Sequence, residues 1–169
     1  MAFPEPQEAA PYYFNYISKV KGDNVLGVLK NQLDETLSLL SGITEERSLH
    51  RYAPDKWSFR EVLSHVSDTE RLFLFRAFWF ARGFDSPLPS FDEKISAAAA
   101  RADETSWASH VVEFQAVRLS TLAFFGNLPA EAWKRNGTAS DMPFTVNALA
   151  YLAAGHLEHH LAILRERYL

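Results

Sequence analysis

Apolar residues recur at three- and four-residue spacing along four long stretches of the chain, as in helices that bury one face. Glycines follow the first two stretches, at Gly42 and Gly83, and a capping-box pair, Ser58 and Glu61, begins the second. No strand pattern of comparable length competes, so the sequence predicts an all-α fold. The predicted helices run from Asn24 to Leu40, from Ser58 to Arg82, from Glu104 to Phe125 and from Thr145 to Leu169.

The segments between the predicted helices carry most of the prolines. The segment between the second and third helices is a linker of about twenty residues, long enough to cross a helical bundle. A second long connection, punctuated by Gly137 and Pro143, precedes the last helix. The chain of 169 residues suits a single domain over 1–169, in which 1–20 form an N-terminal extension.

The last predicted helix contains three histidines, His156, His159 and His160, in a strongly apolar stretch. At 100° per residue, His156 and His160 lie about 40° apart around the helix axis, whereas His159 lies about 100° from His160. An imidazole pair four residues apart can share a divalent metal ion, and two buried imidazoles without a shared partner would be costly. His156 and His160 are therefore the predicted ligands, and His159 stays open as an alternative partner of His156.

A catalytic zinc-type site commonly has three protein ligands and one open position, so a third ligand should come from another helix. His65 lies about two turns after the start of its helix and His160 about two turns before the end of the last. If these helices are antiparallel, the two side chains lie at the same depth. His110 lies at a similar depth, but His65 is favoured because apolar neighbours place it on an interior stripe. His50 lies in a polar connection and should be solvated.

Charge and composition narrow the partners of this chain. A formal net charge of −4 and a pI near 5.9 disfavour nucleic acid, which needs a concentrated basic face, so a small-molecule substrate fits better. The absence of cysteine excludes thiolate ligands, so any metal must use nitrogen and oxygen. The N-terminus has no signal-peptide pattern, and Arg76 and Arg82 interrupt the longest apolar run. We therefore expect a cytoplasmic protein without a membrane span.

Aromatic residues surround the second predicted helix, and they cannot all point into one four-helix core. Either the linker residues 84–100 or a second subunit should cover some of them. The residues alone leave these two alternatives open. The aromatic residues concerned are Phe73, Phe75, Phe78, Trp79 and Phe80.

Two segments carry a resemblance to a known family: residues 56–65 (KWSFREVLSH), followed by Asp68 and Glu70, and residues 154–167 (AGHLEHHLAILRER). With this spacing the chain resembles the DinB-like (YfiT-like) superfamily over nearly its whole length. The resemblance implies a four-helix bundle with up-down-down-up topology and long crossover linkers. It also implies a three-histidine metal site on His65, His156 and His160. Because members of the family are often dimers, the resemblance favours a twofold homodimer, the commonest oligomer type, as the cover for the aromatic residues of the second helix.

The resemblance implies function less narrowly, because relatives include thiol-dependent transferases and isomerases as well as hydrolases. The first hypothesis is a metalloenzyme in which a divalent ion, zinc or nickel, activates a water or a low-molecular-weight thiol cosubstrate. The second is a non-catalytic metal-binding or assembly module. Asp68, Glu70 and Glu158 cannot be ranked as the catalytic base, so the catalytic residues are unassigned. Asp68 and Glu158 are also candidates to orient an imidazole.

Overall fold

All four predicted helical stretches form long helices in the computed structural model, which describes residues 2–169. Two shorter helices and a small hairpin accompany them. In chain order the helices are α1 Phe14–Ile17, α2 Val25–Ser41, α3 Phe59–Ala81, α4 Glu93–Ala100, α5 Trp107–Gly126 and α6 Val146–Arg167, and the strands are β1 Asn136–Ala139 and β2 Met142–Thr145.

Local chemistry sets the ends of α3 as the sequence predicted. The Ser58 hydroxyl accepts a hydrogen bond from the Glu61 backbone N–H (3.1 Å), and the Glu61 carboxylate accepts one from the Ser58 backbone N–H (2.8 Å). This reciprocal pair satisfies N–H groups that have no partner within the helix. At the other end, Gly83 adopts a positive φ of 81°, a conformation that ends a helix at little cost only for glycine.

Hydrogen bonds between the long helices fix their directions. The Tyr168 hydroxyl, just after α6, donates to the Trp57 carbonyl oxygen, just before α3 (2.6 Å), so these two helices run antiparallel. Arg60, at the start of α3, donates to the Thr105 carbonyl oxygen just before α5 (2.7 Å), so α3 and α5 run parallel.

The remaining long helix, α2, packs against α5 and α6. The Trp107 indole N–H at the start of α5 donates to the Leu40 carbonyl oxygen near the end of α2 (3.4 Å), so these helices are antiparallel. The order α2, α3, α5, α6 therefore runs up, down, down, up. The predicted four-helix bundle and its topology are confirmed.

The crossover between α3 and α5 is more structured than predicted. Two parallel helices need a connection that returns along the bundle, and this segment makes the return. Within it, Glu93–Ala100 forms α4, a helix that the sequence analysis did not predict. Asp92 caps this helix by accepting hydrogen bonds from two backbone N–H groups of the first turn (2.9 and 3.1 Å). Ser96 then donates to Asp68 (3.3 Å), which fastens α4 to α3.

The connection before α6 contains an antiparallel hairpin that the sequence analysis did not predict. Ser140 and Asp141 form its two-residue turn with φ values of 54° and 59°, the positive pair that matches the twist of a tight hairpin. One strand forms a bridge to Ala9 and the other to Leu88. The hairpin therefore joins the N-terminal segment to the crossover beside the bundle.

The predicted N-terminal extension packs against the bundle. Ile17 is fully buried and Val20 nearly so. Helix α1 approaches α6 so closely that a Cβ added at Gly155 would overlap the Tyr16 carbonyl oxygen. Glycine at this position is what allows α1 to lie against α6, one residue before His156.

The aromatic residues of α3 have different environments. Phe73 and Phe80 are buried in the core. Trp79 stacks on Phe84 of the crossover (ring centroids 4.2 Å apart), whereas Phe75 and Phe78 remain 47% and 38% exposed. The linker thus covers part of the predicted aromatic surface and leaves two rings on one exposed face. No helix among residues 2–169 is long and apolar enough to cross a membrane.

Candidate metal centre

Three histidine side chains meet between α3 and α6. His156 Nε2 lies 3.1 Å from His65 Nε2 and 3.1 Å from His160 Nε2. Their ligand atoms all lie within 4.8 Å of one another, and these residues are the group with metal-binding geometry in the described part of the chain. The antiparallel packing of α3 and α6 brings together the three residues predicted from helical phase and depth.

The geometry fits a shared cation better than hydrogen bonds between the rings. His156 Nε2 has one in-plane position, which holds either a proton or a lone pair, so it cannot make two good hydrogen bonds with two further nitrogens. Nitrogen ligands about 2.0–2.1 Å from one ion lie roughly 2.8–3.4 Å apart in octahedral or tetrahedral arrangements. The observed 3.1 Å separations fall within this interval. The donor set therefore suits a divalent metal ion.

Burial keeps these imidazoles in the form that binds metal. It lowers the pKa of His65, lowers that of His156 further, and lowers that of His160 to about 3. For His156 and His160, neighbouring imidazoles lower the pKa further, because the three rings could not all carry a positive charge at this distance. At neutral pH the three rings are neutral, as metal ligation requires.

Aromatic rings pack against two of the three histidines. Trp57 lies against His65 (ring centroids 4.9 Å apart), and Tyr16 and Phe73 lie against His156 (5.6 and 6.0 Å). These rings limit the access of water to the histidine nitrogens. Because the local dielectric constant is low, charge interactions within the site are strong.

The other histidines lie outside this group. His159 packs edge-on against Tyr16 (5.3 Å) on the flank of α6. His110 is buried elsewhere, with Nε2 2.9 Å from the Ala102 carbonyl oxygen. His50 is exposed, as predicted. The structure thus places His159 and His110, which the sequence left as alternatives, outside the group formed by the other three histidines.

The carboxylates considered as imidazole partners make other contacts. Asp68 accepts from Arg71 and Ser96. Glu158 accepts from Gln32 (3.4 Å) and lies 3.9 Å from Arg165. Neither hydrogen-bonds to a ring of the site. His65 Nδ1 instead lies 3.5 Å from the Thr69 hydroxyl, a long contact.

Glu70 is also unavailable, because it is buried in an ion pair. Arg118 donates to both of its carboxylate oxygens, each at 2.8 Å. This pair lies on the side of α3 that faces α5. Of the three acidic residues considered as a base, none is directed at the histidine nitrogens.

Two clefts open onto the histidines. The first, about 230 Å³, reaches His65 and His156. The second, about 390 Å³, reaches His160. Glu93, the first residue of α4, lines both clefts and is solvent-exposed. The sequence analysis did not single out this residue, although Asp92 followed by acidic and alanine residues is a helix-start signal that could have located it.

Comparison with known proteins places the fold in a family. The sequence profile of the DinB superfamily matches residues 29–164. The chain belongs to the DinB superfamily. Its structure is similar to that of YfiT from Bacillus subtilis, described as a "probable metal-dependent hydrolase with an unusual four-helix bundle topology", with a TM-score of 0.72 and 17% identity over 96% of this chain and 89% of YfiT. No curated protein matches the sequence.

The DinB match covers the bundle but not all of the site. It includes the three histidines and Glu93, and it begins after Tyr12, Tyr13 and Tyr16. Those tyrosines line the first cleft. One wall of the cleft is therefore formed by a segment outside the family match.

Proposed function

We propose that this protein is a metal-dependent enzyme in which His65, His156 and His160 hold one divalent ion, zinc or nickel. The reaction is activation of a water or of a low-molecular-weight thiol for attack on a small-molecule substrate. The protein would then be a hydrolase or a thiol-dependent transferase or isomerase. The observation that carries the proposal is the convergence of three imidazoles, two buried and one half-buried, that line two clefts.

The ligand set suits this chemistry. Three neutral imidazoles leave the full positive charge on the ion, which when bound supplies Lewis acidity and lowers the pKa of a water or thiol toward neutrality. The chain contains no cysteine, so a thiol nucleophile would have to come from a cosubstrate. The aromatic walls formed by Trp57, Tyr16 and Phe73 would exclude bulk water from the reacting groups.

Glu93 is the carboxylate best placed to accept the proton that the nucleophile releases. It lines both clefts, and its negative charge partly opposes the lowering of the His65 pKa by burial and adds to the burial that raises the pKa of Tyr16. In the described part of the chain it forms no ion pair that would hold it away from the clefts. A carboxylate within reach of the nucleophile can act as a general base.

A non-catalytic metal-binding or assembly module is the competing function. A structural metal site usually has four protein ligands and no open position. Among residues 2–169 the metal-binding group has three members, and space opens beside each of them. These observations favour the enzyme over the structural role.

Elemental analysis of untagged protein tests the metal proposal. Wild-type protein should contain about one equivalent of zinc or nickel, and His156→Ala should lose most of it because His156 contacts both other ligands. His110→Ala is the matched control, since it also removes a buried helical imidazole, and it should keep the metal. Wild-type protein without metal after reconstitution, or full occupancy in His156→Ala, would contradict the proposal.

Replacement of the base gives a separate test. Glu93→Gln should keep the metal content of the wild type and lose turnover in a screen of ester, amide and thiol-transfer substrates. Glu104→Gln, an exposed acidic residue outside the clefts, is the control. Unchanged turnover in Glu93→Gln would exclude Glu93 as the base and leave the metal proposal standing.

A further inference from the structure

Three arginines of the bundle are buried, and one differs from the other two. Arg60, Arg76 and Arg118 are 5%, 2% and 0% exposed. Arg60 pairs with Glu45 (2.5 Å) and Arg118 with Glu70 (2.8 Å). Arg76 has no carboxylate within ion-pair distance among residues 2–169. A buried cation without a counterion is costly, so its presence needs an explanation.

The contacts of Arg76 are all with neutral groups, and the Tyr13 hydroxyl is one of them. Nη2 donates to the Ser140 hydroxyl (2.8 Å) and, at 3.4 Å, to the Pro89 carbonyl oxygen. The guanidinium carbon lies 5.8 Å from the centre of the Phe144 ring. The buried Nε has no hydrogen-bond acceptor. Burial lowers the pKa of Arg76, but an arginine in a protein stays protonated, so the positive charge remains.

Arg76 lines the first cleft together with His65 and His156. His65 and Arg76 are eleven residues apart on α3, which at 100° per residue places them about 20° apart around the helix axis. Both side chains therefore lie along one wall. At 1.5 Å per residue their Cα atoms are roughly 16 Å apart along the helix, so the cleft has a reactive end and a cationic end.

We propose that Arg76 is the anion-binding residue of this cleft and that the natural ligand carries a carboxylate that pairs with it. The inference rests on the proposed function only in that the other end of the same ligand would react at the histidines. A carboxylate would supply the missing counterion and an acceptor for the unpaired guanidinium donor.

The chemistry of the cleft favours a carboxylate over a phosphate. A carboxylate carries one negative charge and neutralises the single cation. A phosphate dianion would leave excess negative charge in a cleft of about 230 Å³ that Glu93 also lines. The planar fork of the guanidinium also matches the two carboxylate oxygens.

The test uses full-length protein stripped of metal by a chelator, so its outcome does not depend on the metal. Hexanoate is the probe, and hexanamide is its uncharged control. If hexanoate binds with a Kd of about 1 mM, about 10 mM of it should raise the Tm by about 3–6 °C. Hexanamide should have little effect. Equal stabilisation by the two compounds would overturn the proposal, as would stabilisation by inorganic phosphate alone.

Variants then assign the effect to Arg76. Arg76→Met should abolish the stabilisation by hexanoate, and Arg82→Met, which removes an exposed arginine of the same helix end, should retain it. Without ligand, Arg76→Met should melt close to the wild type, because it removes an uncompensated buried charge. If Arg76→Met is strongly destabilised, Arg76→Lys decides: it keeps the charge and should keep part of the hexanoate shift.

The two proposals fail separately. Hexanoate binding by a protein that never takes up metal would remove the metalloenzyme and leave the anion site. Full metal occupancy without a difference between hexanoate and hexanamide would remove the anion site and leave the metal centre. A hexanoate shift that persists unchanged in Arg76→Met would also reject the assignment of Arg76.

Discussion

The ion pair between Glu70 and Arg118 should be the most sensitive polar contact of the bundle. Glu70 is 2% exposed and Arg118 is fully buried, and two hydrogen bonds of 2.8 Å join them. Arg118 also donates to the Leu29 carbonyl oxygen and to Gln32, so the pair links α2, α3 and α5. Glu70→Gln keeps the shape of the side chain but leaves the guanidinium without a counterion.

The expected loss follows from that burial. Breaking a buried pair by removing one partner costs about 3–5 kcal/mol. In a domain of this size each kcal/mol shifts the Tm by about 2–4 °C, so Glu70→Gln should lower the Tm by about 6–20 °C. Urea unfolding should show the same loss as a lower midpoint at an unchanged slope.

The same two helices provide a matched control. Arg71 of α3 pairs with Glu113 of α5 at 2.6 Å, but the side chains are 46% and 38% exposed. Exposed pairs contribute about 0–1 kcal/mol, so Glu113→Gln should change the Tm by only a few degrees. Equal effects of Glu113→Gln and Glu70→Gln would refute the reasoning. The double variant Glu70→Leu/Arg118→Met should recover much of the loss, because neither charge remains buried.

Three further predictions concern the site and the surface. Burial lowers the pKa of His160 to about 3 in the folded protein, whereas its pKa in the unfolded chain is about 6.5. As the pH falls, the unfolded chain therefore binds this proton first, and chelated protein should lose up to about 1.4 kcal/mol of stability per pH unit below about pH 6.5 from this group. A constant Tm over this range would contradict the prediction. Gly155→Ala should push α1 away from α6, because the added Cβ would overlap the Tyr16 carbonyl oxygen. Proteolysis of α1 should then be faster than in the wild type. Sedimentation should give twice 19.2 kDa for the wild type but 19.2 kDa for Phe75→Ser/Phe78→Ser; a monomeric wild type rejects the dimer.

The long helices and the histidine group could be predicted because their signals are local. The capping pair of Ser58 and Glu61 and the positive φ at Gly83 depend on a few neighbouring residues. The angle between two side chains around a helix axis follows from their separation in sequence, so the relative orientation of His156 and His160 was known once a helix was assigned. The depth match with His65 needed one further condition, antiparallel packing, which the structure satisfies.

The walls of the site could not be predicted in the same way. Ser140 reaches Arg76 through a hairpin whose strands have only four residues each. Such short strands are stabilised by pairing and packing partners far away in the chain, and periodicity does not indicate them. Tyr16 reaches His156 because α1 approaches α6 at Gly155. These contacts depend on tertiary structure, which a single sequence pattern does not specify.

This division between bundle and walls bears on how the site would acquire specificity. The histidines stand on two long helices held at fixed depth, so the candidate metal centre depends on the bundle itself. Tyr16, Glu93 and Ser140 come from the N-terminal segment, the crossover and the hairpin. Connections of this kind tolerate change better than the packed helices they join. Substitutions in these connections could change which ligand binds without disturbing the three imidazoles. Arg76 lies on α3, but its hydrogen bonds are to Ser140 and Pro89 of the connections. We therefore expect the side chains that the connections place beside α3 to determine which ligand the cleft binds.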